Sequence, residues 1–340
     1  MSGAAVPAAP APLRRREQRR RRAVMLAITG LLLLGMSPIV GHHLGSGIDR
    51  LLAGTDHLGA LCLIALHHLL DPVHDLFHGL LLAGVSYAAW DRLRAGRTLR
   101  RTLAALPWRT PAPGSALEAA AREAGVDPRR VRAAPGLPLP AFTAGWLRPR
   151  IYVAQELAER LGRDELVAVL MHEGAHAARR DPLRLSVLRF LGHALFWIPV
   201  LRRLAEDCAD EAEIRADDAA ARDRPLVLAS ALVALAGWRT PDAAPAMGVG
   251  INRRDLLDRR VRRLAGEEVH PETNVTRRSI AGASAMLLLV WATGTAMVHP
   301  LPAEHGGEAH CDHGRPAWTH LFCRGETVRA GAADCPHGRR

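Results

Sequence analysis

The chain has 340 residues and a formal net charge of +11, and it contains no lysine, so arginine carries the basic balance. That length leaves room for a sizeable core and further parts. The arginines stand beside long apolar runs, which points to the flanks of membrane segments rather than to a nucleic-acid surface. The five scattered cysteines form no C-x-x-C pair, which leaves a zinc ribbon or a thioredoxin-type site without support.

Residues 1–22 join a Pro/Ala stretch to an arginine run from Arg14 to Arg22. They are expected to be disordered and to hold the N-terminus in the cytoplasm. An apolar, uncharged run at about 23–41 is long enough to span a bilayer. It reads as an anchor rather than a signal peptide, because no small-residue cleavage site is evident. A polar loop follows from Gly41 to Asp56. A second span is expected at about 70–90, preceded by an interfacial segment, and Arg92, Arg94, Arg97, Arg100 and Arg101 mark the return to the cytoplasm. His67, Asp71, His74 and His78 fall near one helical face. A second metal site or a proton-sensitive patch would fit them, but Pro72 disturbs the helix, and histidines at headgroup level are the plainer reading.

Residues 103–160 open the soluble region. Pro107, Pro111 and Pro113 mark a linker, and Ala116 to Gly125 reads as a short helix. The Pro/Gly punctuation from Leu139 to Arg150 predicts turns around short strands, with Ile151-Tyr152-Val153 a strand just before the next helix. A free strand edge there would let an extended peptide add on through backbone hydrogen bonds.

His172-Glu173-Gly174-Ala175-His176 fits H-E-x-x-H. On a helix, residues four apart lie one turn above the other on one face, so both imidazoles can reach one zinc ion. Glu173 then stands beside the metal, where it can accept the proton of a water and later pass it to the leaving amine. Asp164 and Glu165 suit the helix N-terminus, and Leu166 to Met171 is apolar and helix-compatible. A bare H-E-x-x-H also arises by accident, on a helix that happens to carry two histidines.

Residues 190–201 are apolar and short, with arginines at both ends, and are expected to dip into the membrane and return. Glu213-Ile214-Arg215-Ala216-Asp217 places two carboxylates on one helical face. Glu213 would be the third metal ligand, and Asp217 would orient a ligand histidine through its second ring nitrogen. Taken alone the stretch is a solvated acidic face; downstream of H-E-x-x-H it completes a site. Leu226 to Trp238 reads as an apolar packing helix, and Arg253 to Leu264 as a basic amphipathic helix on the inner membrane face. Arg277 and Arg278 precede an uncharged run at 279–298, the clearest span. The tail, residues 299–340, is then expected outside, with three of the cysteines giving at most one disulfide.

From about residue 137 to 265 the sequence resembles the BlaR/MecR-type membrane zinc metallopeptidases, the antirepressor transducers. The resemblance rests on Pro140-Ala141-Phe142-Thr143 through Gly145 to Arg148-Pro149-Arg150-Ile151, then His172-Glu173 through His176. Arg180-Asp181-Pro182, Phe196-Trp197-Ile198-Pro199-Val200 and Glu213 through Asp217 continue it in order. It implies a cytoplasmic zinc endopeptidase domain between membrane helices, with His172, His176 and Glu213 as ligands, Glu173 as general base and a winged-helix repressor as the common substrate. With the short tail after Val298, no large penicillin-binding sensor domain is expected. Ala216-Asp217 stands where many members have Cys-Asp, a variant that resembles the HtpX-like quality-control peptidases.

The expected architecture is therefore a mainly α membrane protein with a cytoplasmic zincin-like (gluzincin) α+β metallopeptidase domain at 91–277. Membrane helices at 23–90 and 279–298 flank it. The cofactor is Zn2+, and the partners are a protein or peptide substrate and the lipid bilayer, with no direct nucleic acid. The expected activity is regulatory cleavage of a repressor or of the protein itself. The alternatives are a membrane quality-control protease and a non-catalytic, metal-responsive receptor.

Overall fold

The computed structural model of the chain describes residues 11–37, 57–137, 139–222, 224–236, 238, 254–267 and 273–296. The polar loop and the His/Cys tail expected from the sequence lie outside them. The chain divides into two compact units, one of Met1–Arg22 and Gly84–Arg277, the other of Ala23–Ala83 and Arg278–Arg340.

The larger unit is built on a small sheet and a layer of helices. Strands β1 (Val131–Ala134), β2 (Ala141–Ala144) and β3 (Arg150–Ala154) form a sheet of order β1-β3-β2, with β1 parallel and β2 antiparallel to β3. Before the sheet stand the C-terminal part of α2 (His57–Ala105) and the short α3 (Ala116–Glu123), which Ser115 caps by accepting from the Glu118 N–H. After it come α4 (Leu157–Arg160), α5 (Arg163–Arg179), α6 (Asp181–Ala194), α7 (Pro199–Ala221), α8 (Pro225–Ala236) and α9 (Arg254–Leu264).

Helix α5 is the centre of this unit, packing on α3, α6, α7, α8, β2 and β3. It starts where the Glu165 carboxylate accepts the Gly162 N–H, an acidic first turn as the sequence suggests. Its Leu166, Val167, Val169 and Leu170 join Val131, Ile151 and Val153 of the sheet in one core, and the other face of the helix is left for polar residues. The opposite sheet face carries a stack of Phe142 on Tyr152, with Trp108 edge-on to Tyr152.

Residues 190–201, expected to dip into a membrane, comprise the end of α6, the connection at 195–198 and the start of α7. Leu195, Ile198, Val200 and Leu201 are buried inside the protein, and Phe196 alone among the large apolar side chains there is exposed. Protein burial accounts for that apolar run. Helix α9, expected to lie on the membrane, packs on α7 and α8 with Leu256, Arg260 and Leu264 buried.

The smaller unit contains most of α1 (Ala11–Gly35), the N-terminal part of α2 and α10 (Arg277–Ala296). The arginine-rich stretch expected to be disordered is helical from Ala11 onward, as the first half of α1. Pro72, expected to disturb a helix, lies inside the continuous α2. Glycines bring these helices close: Gly35 faces the Trp291 ring, and Gly294 leaves no room for a side chain against the Gly35 carbonyl. Trp291 Nε1 donates to Leu31 O at 3.0 Å, and buried His74 Nδ1 lies 3.0 Å from Thr293 Oγ1. Among the described residues no helix is long and apolar enough to cross a membrane. The described parts of the three expected spans fall largely within α1, α2 and α10, and His74, Asp75 and His78 interrupt the one in α2.

Candidate metal centre

Helix α5 presents His172 and His176 one turn apart on the face turned from the sheet core, and α7 brings Glu213 and Asp217 to meet them, again one turn apart. One nitrogen from each histidine and one oxygen of Glu213 lie within 4.8 Å of one another, all three residues being buried. His172 Nε2 and His176 Nε2 are 3.2 Å apart, and each is 3.5 Å from an oxygen of Glu213.

The surrounding carboxylates decide the tautomers. Asp181 Oδ2 lies 2.9 Å from His176 Nδ1 and accepts a hydrogen bond from its N–H. Asp217 Oδ1 lies 3.1 Å from His172 Nδ1, a contact bent from the ideal hydrogen-bond line. With both Nδ1 positions protonated toward carboxylates, each Nε2 offers a lone pair, and those lone pairs converge with a carboxylate. Such a cradle repels itself unless a cation or an added proton enters. Its two nitrogens and one oxygen suit a divalent ion of borderline softness, zinc first, with a position left open for water or substrate.

The same contacts set the protonation of the cluster. Burial, the largest single influence, pulls the His172 pKa down, but hydrogen bonds to Asp217 and Glu213 outweigh it and raise it to about 9. Burial would raise the Asp217 pKa; the hydrogen-bonded charge of Arg260 and the contact with His172 prevail and hold it at about 2.

Arg260 is the cation behind the site. It is 2% exposed, donates from Nε and Nη2 to the two Asp217 oxygens at 2.7 Å each, and sets Nη1 2.9 Å from Glu213 Oε2. Its fork pairs with Asp217 and its third nitrogen holds one oxygen of Glu213, so one positive charge offsets part of the charge of two buried carboxylates. Arg179 stands by Asp181 at 3.0 Å. That second contact depends on the backbone. Arg180 closes α5 in the left-handed region (φ 53°), so α6 begins at once and the Asp181 side chain reaches back to His176.

Glu173 is buried next to these ligands, and the Thr143 hydroxyl of β2 lies 2.7 Å from its Oε2. A groove of about 690 Å³ opens onto the site, lined among others by Thr143, Trp146, Ser186, His193 and Glu213.

Residues 97–225 match the model of the family described as BlaR1 peptidase M56. Over 104 residues the chain is also 32% identical to Protease HtpX of Stutzerimonas stutzeri (strain A1501), which covers 30% of this chain and 35% of the relative. Protease HtpX of Pseudomonas paraeruginosa (strain DSM 24068 / PA7) and of Pseudomonas aeruginosa (strain LESB58) are each 31% identical over the same length and shares. The chain spans about a third of the length of the curated relatives it matches. Both comparisons are with proteases, and the matched segment contains β1 to α7 with His172, Glu173, His176, Glu213 and Asp217.

The structure brings together all five residues singled out in the sequence. Three others at the site were given no role there: Thr143, Asp181 and Arg260. Arg260 had a readable signal, since it occupies the i+4 place in the row Leu256–Arg260–Leu264, where an arginine interrupts the apolar stripe of α9. Thr143 and Asp181 act through contacts that no spacing rule announces.

Proposed function

We propose that this protein is a membrane-associated, zinc-dependent endopeptidase. The observation that carries the reading is the buried convergence of His172 Nε2, His176 Nε2 and a Glu213 oxygen, with the Glu173 carboxylate alongside. His172, His176 and Glu213 would hold the ion, Asp217 and Asp181 fix the two rings, and Arg260 balances the carboxylate charge. Zinc bound there would supply Lewis-acid polarisation of a peptide carbonyl and make water more acidic. Glu173 takes the proton of the attacking water and delivers it to the departing amine nitrogen, so the carboxylate ends each cycle as it began. Among the described residues strand β2 is an edge of the sheet beside Glu173, where an extended peptide adds by backbone hydrogen bonds.

The membrane part of the reading is supported by apolar surface in the smaller unit. Leu26, Leu33 and Leu34 of α1, Leu69, Leu76 and Leu82 of α2, and Ile280 and Leu288 of α10 all point outward. Large apolar side chains on three neighbouring helices suit lipid better than water. The arginines in the first half of α1 and at the start of α10 favour a cytoplasmic catalytic unit and an external C-terminal tail.

Two substrate classes fit about equally. A cytoplasmic winged-helix repressor, or the protein itself, is favoured by the BlaR1 peptidase match. Damaged membrane proteins are favoured by the relatives named Protease HtpX and by Ala216-Asp217. Both require that Glu173→Gln abolish casein cleavage by purified protein, and undiminished cleavage would exclude both. In cells, stabilisation of one repressor by that substitution marks the first class, and accumulation of many misfolded membrane proteins marks the second.

A further inference from the structure

We propose that Thr143 is a positioning residue that ties the register of a bound peptide to the Glu173 carboxylate. The proposal rests on the reading of Glu173 as the proton carrier and deepens it. Strand β2 is an edge of the sheet, and its hydrogen-bond phase is fixed by the Ala154 N–H, which donates to Pro140 O at 2.8 Å. An antiparallel ladder alternates, so Phe142 and Ala144 also bond to β3, while the N–H and C=O of Ala141 and Thr143 turn outward. The outer edge of β1 is already covered by Arg109, which exchanges two hydrogen bonds with Ala133 at 2.9 and 2.8 Å. Among the described residues, the edge of β2 is therefore where a peptide can extend the sheet.

Thr143 combines this outward main chain with a side chain that reaches the site. Its hydroxyl lies 2.7 Å from Glu173 Oε2 and 3.0 Å from Glu173 O. The hydroxyl has one proton, and the nearer, charged oxygen takes it, which leaves Glu173 Oε1 without that bond. Ala141 shares the outward main chain but has no hydroxyl. Branching at Cβ stiffens the Thr143 side chain, so the hydroxyl follows the edge strand rather than swinging free. One residue thus holds the peptide backbone through its main chain and the carboxylate through its side chain. The two anchors fix which peptide bond lies over Glu173.

The test uses full-length, zinc-loaded protein in detergent with casein as substrate. Thr143→Val removes the hydroxyl and keeps the shape and the edge amides, and Thr143→Ser keeps the hydroxyl. Thr143→Val is expected to lower kcat by about ten- to a hundredfold, the loss of one hydrogen bond to a charged group, with KM and zinc content held near wild type. Thr143→Ser is expected to recover most of that rate. A wild-type kcat in Thr143→Val, or equal losses in the two variants, overturns the proposal while Glu173→Gln remains inactive. If Glu173→Gln cleaves casein as the wild type does, the peptidase reading falls and this proposal falls with it.

Discussion

His172 shows how one buried side chain couples proton, metal and stability. Without a cation its pKa stands near 9, above the ordinary histidine value of 6.5, because Asp217 and Glu213 overcome the effect of burial. A histidine whose pKa is raised by folding contributes stability that is fully present below 6.5 and is lost as pH rises through 9. Metal-free protein is therefore expected to lose thermal stability between pH 6.5 and 9, whereas zinc-loaded protein, in which the proton is displaced, is not. Thermal unfolding of EDTA-treated and zinc-loaded samples across that range measures the difference, and parallel pH curves would count against the cradle. At this scale most of the site was legible. The repeated spacing of four residues, His172 to His176 and Glu213 to Asp217, is a helical-face pattern that survives folding unchanged. Thr143 and Arg260 were not legible as partners, because their contacts join residues 30 and 43 positions apart.

Among the elements, α9 departs most from its sequence reading. Apolar residues at helical spacing with arginines around them read as a membrane-facing amphipathic helix. The structure turns one arginine inward, because the buried carboxylates of Asp217 and Glu213 need a cation more than solvent does. Arg260→Ala is expected to destabilise the protein by about 3–5 kcal/mol, the range for breaking a buried ion pair from one side, and to loosen zinc. Denaturant unfolding and zinc content measure both effects; a change below about 0.5 kcal/mol, typical of surface sites, would show that α9 does not anchor there. The α6–α7 turn teaches a related lesson. An apolar run too short to span a membrane can be buried by protein, as Leu195, Ile198, Val200 and Leu201 are. The strand β3 was legible from the Pro/Gly punctuation before it, and its Ile151-Tyr152-Val153 serves the two faces of the sheet in turn.

For the whole molecule, composition pointed to membrane helices, and the structure supplies helices at those places, though among the described residues none is long and apolar enough to cross a membrane. Charge position, not total charge, guided that expectation. The outward leucines of α1, α2 and α10 are expected to keep the protein in the membrane fraction after alkaline carbonate washing. Release into the supernatant would show that this apolar surface is covered by protein. The central claim is that three buried ligands hold zinc beside a carboxylate that moves the proton. Metal analysis of purified wild-type and Glu173→Gln protein, paired with casein cleavage, tests it most directly. One zinc ion per chain in both, with cleavage in the wild type alone, is the expected result. No zinc in the wild type, or full cleavage by Glu173→Gln, would contradict it.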